Sequence, residues 1–206
     1  FFNYILLENG YMIGNYHKAF RIPIQNMTSE VLNPEQLHFQ ITDNEFNESF
    51  QHSLKRARDV FVFGGTVALR NADLMSLTTS NLVQSENEVY LTLYTQKTNT
   101  EIRIPLPAFA LDILKRNKRK KGSYLLPRLS STNLNRQIKK LIKFAAWDHD
   151  VPKYISLRGK IKELKSRTNN TWKFYEHITA HTMRRTAITT LLMMGVSENI
   201  VRKISG

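Results

Sequence analysis

HITAHTMRRTAITTLLMMGVSENIVRKISG, residues 177–206, sets a histidine and two arginines in one turn of a predicted helix and then becomes apolar. His181 and Arg184 are three residues apart, so on a helix they project from one face about one turn from each other, where both can reach a single small anion. That face is the candidate active site. Behind it, Ala187, Ile188, Leu191, Leu192 and Met194 recur at helical spacing, Gly195 reads as a C-terminal stop, and Ser197 caps a second helix carrying Ile200, Val201 and Ile204. The arginines are thereby predicted to stand on a buried scaffold.

The composition narrows the partners such a face can have. The chain has 206 residues, 41% of them hydrophobic, which suits one sizeable core with or without an appendage. Thirty Lys and Arg against seventeen Asp and Glu give a net charge of +13 and a pI near 10.0, which points to a polyanion rather than an acidic small molecule. The charge is also uneven: net −4 over residues 1–114, but 18 basic against 3 acidic side chains over residues 115–173. That swing argues for a one-sided electrostatic footprint, with double-stranded DNA the expected partner. Absence of cysteine removes disulfides and thiolate metal sites, and no apolar run approaches the roughly 20 residues of a membrane span. A soluble, cytoplasmic protein with no metal and no cofactor is the expectation. The opening, FFNYILLENGYMIGNYHKAF, lacks the pattern of a signal peptide and reads as cut from a longer chain.

In chain order, residues 1–20 read as the end of a preceding helical domain and residues 21–43, with Pro23 and Pro34, as an extended linker. The main domain then runs over residues 44–206. A helical stripe of Phe46, Phe50, Leu54, Ala57, Val60 and Phe61 is expected to break near Gly64-Gly65, and a short helix to begin around Arg70. Residues 81–85, 89–94 and 101–106 alternate apolar and polar side chains about two turns and predict a three-stranded antiparallel meander with Lys97 at its tip. Two amphipathic helices follow over residues 108–118 and 132–147. Residues 154–165 and 171–178 read as a long hairpin about Thr168-Asn169-Asn170, lined by Arg158, Lys160, Lys162, Lys165, Arg167 and Lys173. The fold class is mixed α+β, mainly helical, with a small three-stranded sheet and a basic hairpin. No glycine-rich phosphate loop, His-Glu-x-x-His site or Gly-x-Ser-x-Gly elbow occurs.

Three of these segments together resemble one family. HTMRRTAITTLLMMGVSENIVRKISG resembles the His-x-x-Arg box of tyrosine recombinases and of phage and conjugative-transposon integrases. FGGTVALRNADLMSLTTSNL resembles the family's first arginine box, with Arg70 matching the arginine, Asp73 the acid three residues on, and Ala68 standing where glycine is usual. YTQKTNTEIRIPL resembles the hairpin that carries a catalytic lysine, here Lys97.

The resemblance implies the tyrosine-recombinase catalytic fold and site-specific recombination, integration or excision, through a 3′-phosphotyrosine link. Cleaving a phosphodiester with a side-chain hydroxyl needs an anion clamp, an acid for the leaving oxygen and a base for the nucleophile. Arg70 and Arg184 supply guanidinium forks for the clamp. Lys97 is suited to protonate the 5′ oxygen, and His181 to support the phosphate or take the nucleophile's proton. Asp73 orients its helix without touching DNA, which the basic hairpin residues 158–173 are expected to contact. The family's second histidine or tryptophan and its tyrosine nucleophile are expected beyond Gly206, because all eight tyrosines precede the His181 box. The chain alone is therefore expected to be an inactive, monomeric DNA-binding fragment of a protein that works as a tetramer, bound to the bacterial nucleoid. Alternative readings are a type IB topoisomerase-like domain, a DNA-binding module without cleavage, or a basic scaffold on RNA.

Overall fold

A computed structural model describes residues 29–205 apart from 86–87, 95–100, 119–122, 158–159 and 167–170. The chain first forms α1 (Pro34–Thr42), α2 (Asn44–Glu48), the central α3 (His52–Val67) and the short α4 (Asn71–Ser76). Asn33 starts α1 through a capping box: its side chain accepts from the Gln36 N–H at 2.7 Å while Gln36 accepts from the Asn33 N–H at 3.0 Å, and Pro34 occupies the first turn. The stretch expected as an extended linker over 21–43 thus contains a helix. It also belongs to the core, since Leu32 is fully buried and its N–H donates to the Thr186 hydroxyl. Residues 1–28, including the expected preceding domain, lie outside the described residues.

α3 does not break at Gly64-Gly65; both glycines lie within it and are buried. The reason is packing rather than turn chemistry, because a Cβ on Gly64 would sit 2.8 Å from the Met183 sulfur and 2.9 Å from Leu74 Cδ2. The helix ends instead at Ala68, which is left-handed at φ 57°. The C-terminal half of α3 is apolar nearly all round, with Val60, Phe61, Val62, Phe63 and Val67 buried, as a helix sheathed by others must be, while its first turns carry His52, Lys55, Arg56, Arg58 and Asp59.

The sheet is the antiparallel meander β1 (Leu82–Ser85), β2 (Glu88–Tyr94), β3 (Glu101–Pro105). Leu91 faces Ile104 and Leu93 faces Ile102 across β2–β3, and all four are buried, so one face closes on the core. α5 (Ala108–Asn117) and α6 (Ser131–Phe144) follow, the latter capped by Ser130 accepting from the Asn133 N–H at 3.3 Å and burying Leu134, Ile138, Leu141 and Ile142.

The second hairpin differs from the expected one. Its strands are β4 (Lys153–Leu157) and β5 (Lys160–Leu164), so the two-residue connection is Arg158–Gly159, and residues 174–177 form the short helix α7 (Phe174–His177) instead of a strand. A glycine between two alternating runs was the stronger hairpin signal than Asn169-Asn170. α8 (Ala180–Met193) then packs along α3, and α9 (Glu198–Ser205) follows a turn at Gly195, whose φ is +81°. Among the described residues no helix is long and apolar enough to cross a membrane.

Candidate active site and nucleic-acid interface

Arg184 projects from α8 and is tied to main chain on both sides. Its guanidinium donates to the Ala68 carbonyl at 3.2 Å and to the Ser205 carbonyl. Ala68 lies two residues before Arg70, hence within about 7 Å of it along the chain. Arg70 is the N-cap residue just before α4, and Asp73, in the first turn, is buried at 2% exposure. Burial and the neighbouring Arg70 charge push the Arg184 guanidinium below its ordinary value, and Asp73 partly offsets them. Arg70, Asp73 and Arg184 therefore share one electrostatic site although Arg70 and Arg184 are 114 residues apart in sequence. Two guanidinium groups against one buried carboxylate leave a net positive site, suited to an anion.

His181, one turn before Arg184, is exposed. Partial burial and the charges of Arg185 and Arg184 lower its imidazole below the ordinary 6.5, so at neutral pH it is mainly uncharged and able to accept a proton. The start of α8 is held by an Asn135 side chain accepting from the Ala180 N–H at 2.8 Å, and by the Thr179 N–H donating to Thr182 Oγ1 at 3.0 Å. α9 packs against β3 as well as receiving the Arg184 bond, so the strand following Lys97 is anchored beside the arginine. Lys97 itself lies outside the described residues; Tyr94 and Glu101, which bracket its segment, face each other in register.

The basic hairpin residues divide. Lys162 and Lys165 are exposed. Arg158 and Arg167, and the side chain of Lys160, lie outside the described residues. Lys173 is a surface charge held in a pair: its ammonium lies 2.8 Å from Asp150, which also accepts from the Thr171 hydroxyl at 2.7 Å. The pair shifts Lys173 up and Asp150 down, each chiefly through their mutual hydrogen bond. Lys153, which the sequence reading passed over, sits 4.2 Å over the Trp172 ring.

The Ala68 and Ser205 carbonyls and the Asn135 cap were also missed. Only Ala68 left a trace, as the residue standing where the resembled family has glycine. Among the described residues no group of three or more His, Asp or Glu side chains could hold a metal ion. A concavity of about 610 Å³ on α1, lined by Pro34, His38, Phe39 and Asp43 among others, shares no residue with this site.

The family model described as the phage integrase family matches residues 55–206. No curated protein matches the sequence. Among solved structures, the chain is similar to XerH site-specific recombinase bound to palindromic difH, at a TM-score of 0.60 and 16% identity over 90% of this chain and 48% of that one. It is similar also to the Tn1549 transposon integrase with circular intermediate DNA, at 0.59 and 15% over 100% and 66%. A third is the lambda integrase tetramer on a Holliday junction, at 0.55 and 18% over 98% and 54%. The chain thus spans about half to two thirds of the length of these proteins, and at such identities the likeness is one of fold.

Proposed function

Because the chain belongs to the phage integrase family, we propose that it serves site-specific recombination of double-stranded DNA, integration or excision, by strand cleavage and rejoining. Arg70 and Arg184 clamp the non-bridging oxygens of the scissile phosphate, with Asp73 positioning the first of them. A tyrosine hydroxyl attacks phosphorus, the bond to the 5′ oxygen breaks, Lys97 gives that oxygen its proton, and His181 takes the proton of the tyrosine. The observation supporting this reading is the bond from Arg184 to the carbonyl of Ala68, two residues before Arg70, with the Arg70 and Asp73 charges both acting on the Arg184 guanidinium.

The structural relatives support the DNA partner, since XerH was captured in a post-cleavage complex and lambda integrase on a Holliday junction. The lambda tetramer is the basis for a four-subunit working assembly of the whole protein, acting in the cytoplasm on the nucleoid. Residues 29–43 go with the catalytic body, and a helical DNA-embracing domain precedes them. Phosphate contacts come from the strip that includes Lys162, Lys165 and the flanking Arg158, Lys160 and Arg167, with Lys173 bracing it through Asp150.

All eight tyrosines precede His181. Of those described, Tyr90 donates its hydroxyl to Glu88, Tyr124 accepts from Arg128 at 3.2 Å, and the Tyr175 ring lies under Lys143. The 206-residue chain should therefore bind duplex DNA without forming a covalent adduct. Binding measured against salt should give a log–log slope near −5 for about six neutralised phosphates, and incubation with a nicked suicide duplex should leave no adduct on denaturing electrophoresis. A slope near zero, or equal affinity for duplex DNA and RNA, would overturn the DNA reading. An adduct would place the nucleophile among these eight tyrosines.

A further inference from the structure

A second cationic site lies at the other end of α3. Its first turns carry His52, Lys55 and Arg56, with no acidic residue in the first turn and no side-chain cap from Gln51. Cations at a helix N-terminus oppose the macrodipole and the exposed N–H groups, which favour an anion there. The C-terminal end of α5 comes against this turn, and His52, Arg56, Arg116, Asn117, Lys118 and Pro127 line a concavity of about 190 Å³.

The one carboxylate paired with a residue of this seam neutralises only part of its charge. Asp59 is already engaged by Arg58 and Arg116, each at 3.1 Å, and by the Asn117 amide at 2.7 Å. Asp112 pairs with Lys115. Among the described residues neither Arg56 nor Lys118 is within ion-pair distance of a carboxylate. Behind them Arg58 is 7% exposed, and its Nε has no hydrogen-bond partner. It lines a neighbouring cavity of about 140 Å³ that shares Arg116. The seam thus gathers cations around one saturated carboxylate.

We propose that this α3–α5 seam is a phosphate-binding site distinct from the Arg70–Arg184 clamp. Arg56 and Val67 are eleven residues apart on α3, about 16 Å at 1.5 Å per residue, so one phosphate cannot serve both sites. An imidazole, two guanidinium groups and an ammonium line one concavity at a helix N-terminus, a lining suited to an oxyanion. The room suits a phosphate or a pyrophosphate. The phosphate arrives either free or on a nucleic-acid backbone; the recognition is the same.

The test is calorimetric titration of inorganic phosphate and pyrophosphate, at constant ionic strength, into the chain carrying Arg70→Gln, which takes the clamp out of play. One equivalent should bind. Adding Arg56→Gln or Lys118→Gln should weaken it about 10- to 100-fold, the range for losing one charge-assisted hydrogen bond, whereas Lys140→Gln, an exposed charge on α6, should not. The melting temperature of Arg56→Gln without phosphate should be unchanged or higher, because a cation leaves a helix N-terminus; a merely structural arginine would lower it. Should Arg70→Gln not fold, the unmodified chain should bind two equivalents and Arg56→Gln one. Phosphate binding abolished by Arg70→Gln alone, or equal with and without Arg56, or lost equally in Lys140→Gln, would overturn the proposal. Displacement of the seam phosphate by a short duplex would identify its source as DNA, and retention would identify it as free phosphate.

Discussion

Gly64 and Gly65 provide a matched pair of perturbations within α3. Alanine at either position gains about 1 kcal/mol of helix propensity over glycine, so a difference between the two variants reports space alone. At Gly64 the new methyl would lie 2.8 Å from the Met183 sulfur, 3.2 Å from Met183 Cβ and 2.9 Å from Leu74 Cδ2. The ends of those side chains can turn aside, but Met183 is buried at 1% exposure and its Cβ moves only with α8. Overpacking of this kind costs about 1–3 kcal/mol, leaving Gly64→Ala destabilised by about 0–2 kcal/mol after the propensity gain. At Gly65 the nearest atom is Leu37 Cδ1 at 3.3 Å, a side-chain end on α1 that can turn aside, so Gly65→Ala should keep the gain of about 1 kcal/mol. The two should differ by about 1–3 kcal/mol, read as urea midpoints at constant m-value. Arg184 directly follows Met183, so Gly64→Ala should also weaken duplex binding while Gly65→Ala leaves it unchanged. Equal stability of the two variants, or a Gly64→Ala more stable than Gly65→Ala, would refute the account of α8 seated on a glycine notch.

Ala68→Gly should stabilise the fold by about 0–1.5 kcal/mol, since a left-handed alanine costs about 1–2 kcal/mol and the glycine returns part of that through unfolded-state entropy; Ala68→Val should destabilise it, and urea midpoints check both. The folded His181 imidazole binds a proton less readily than the unfolded one, so the unfolded state holds more protons and stability falls as pH drops below about 6.5. His181→Gln should flatten that limb in midpoints measured from pH 5 to 7, and an unchanged limb would exclude His181 as its source. On the proposed mechanism, Lys97→Ala in the complete protein should slow cleavage about 10²- to 10⁴-fold with little effect on binding. A substrate with sulfur at the bridging 5′ position should rescue that variant but not Arg184→Ala, and rescue of neither would remove Lys97 as the acid.

What the sequence made legible was chemistry, and what it hid was the means of placing it. The strands β2 and β3 could be read because Leu91, Leu93, Ile102 and Ile104 alternate with polar partners; α8 could be read as a helix but not in its buried face, since of the expected stripe only Ala187 is buried, Leu192 and Met194 are exposed, and Met183 and Thr186 face the core instead. Arg70, Asp73, His181 and Arg184 stood out as residue types at a meaningful spacing. The bonds that bring Arg184 toward Arg70 run to the carbonyls of Ala68 and Ser205, and a carbonyl leaves no mark in a sequence, since every residue has one. The same blindness explains Gly64-Gly65, where glycine meant close approach of a helix and not its end, and Lys173, whose charge looked free until Asp150 arrived from 23 residues upstream. Ala68 is the informative exception. A left-handed residue was needed where α3 must stop and turn its carbonyl toward Arg184, and the alanine there accepts backbone strain to do it. The Arg184 bond in turn holds that conformation, so loss of the arginine should relax residues 68–70 as well as remove a charge, and Arg184→Lys, which keeps the charge but not the fork, should fail to restore the site.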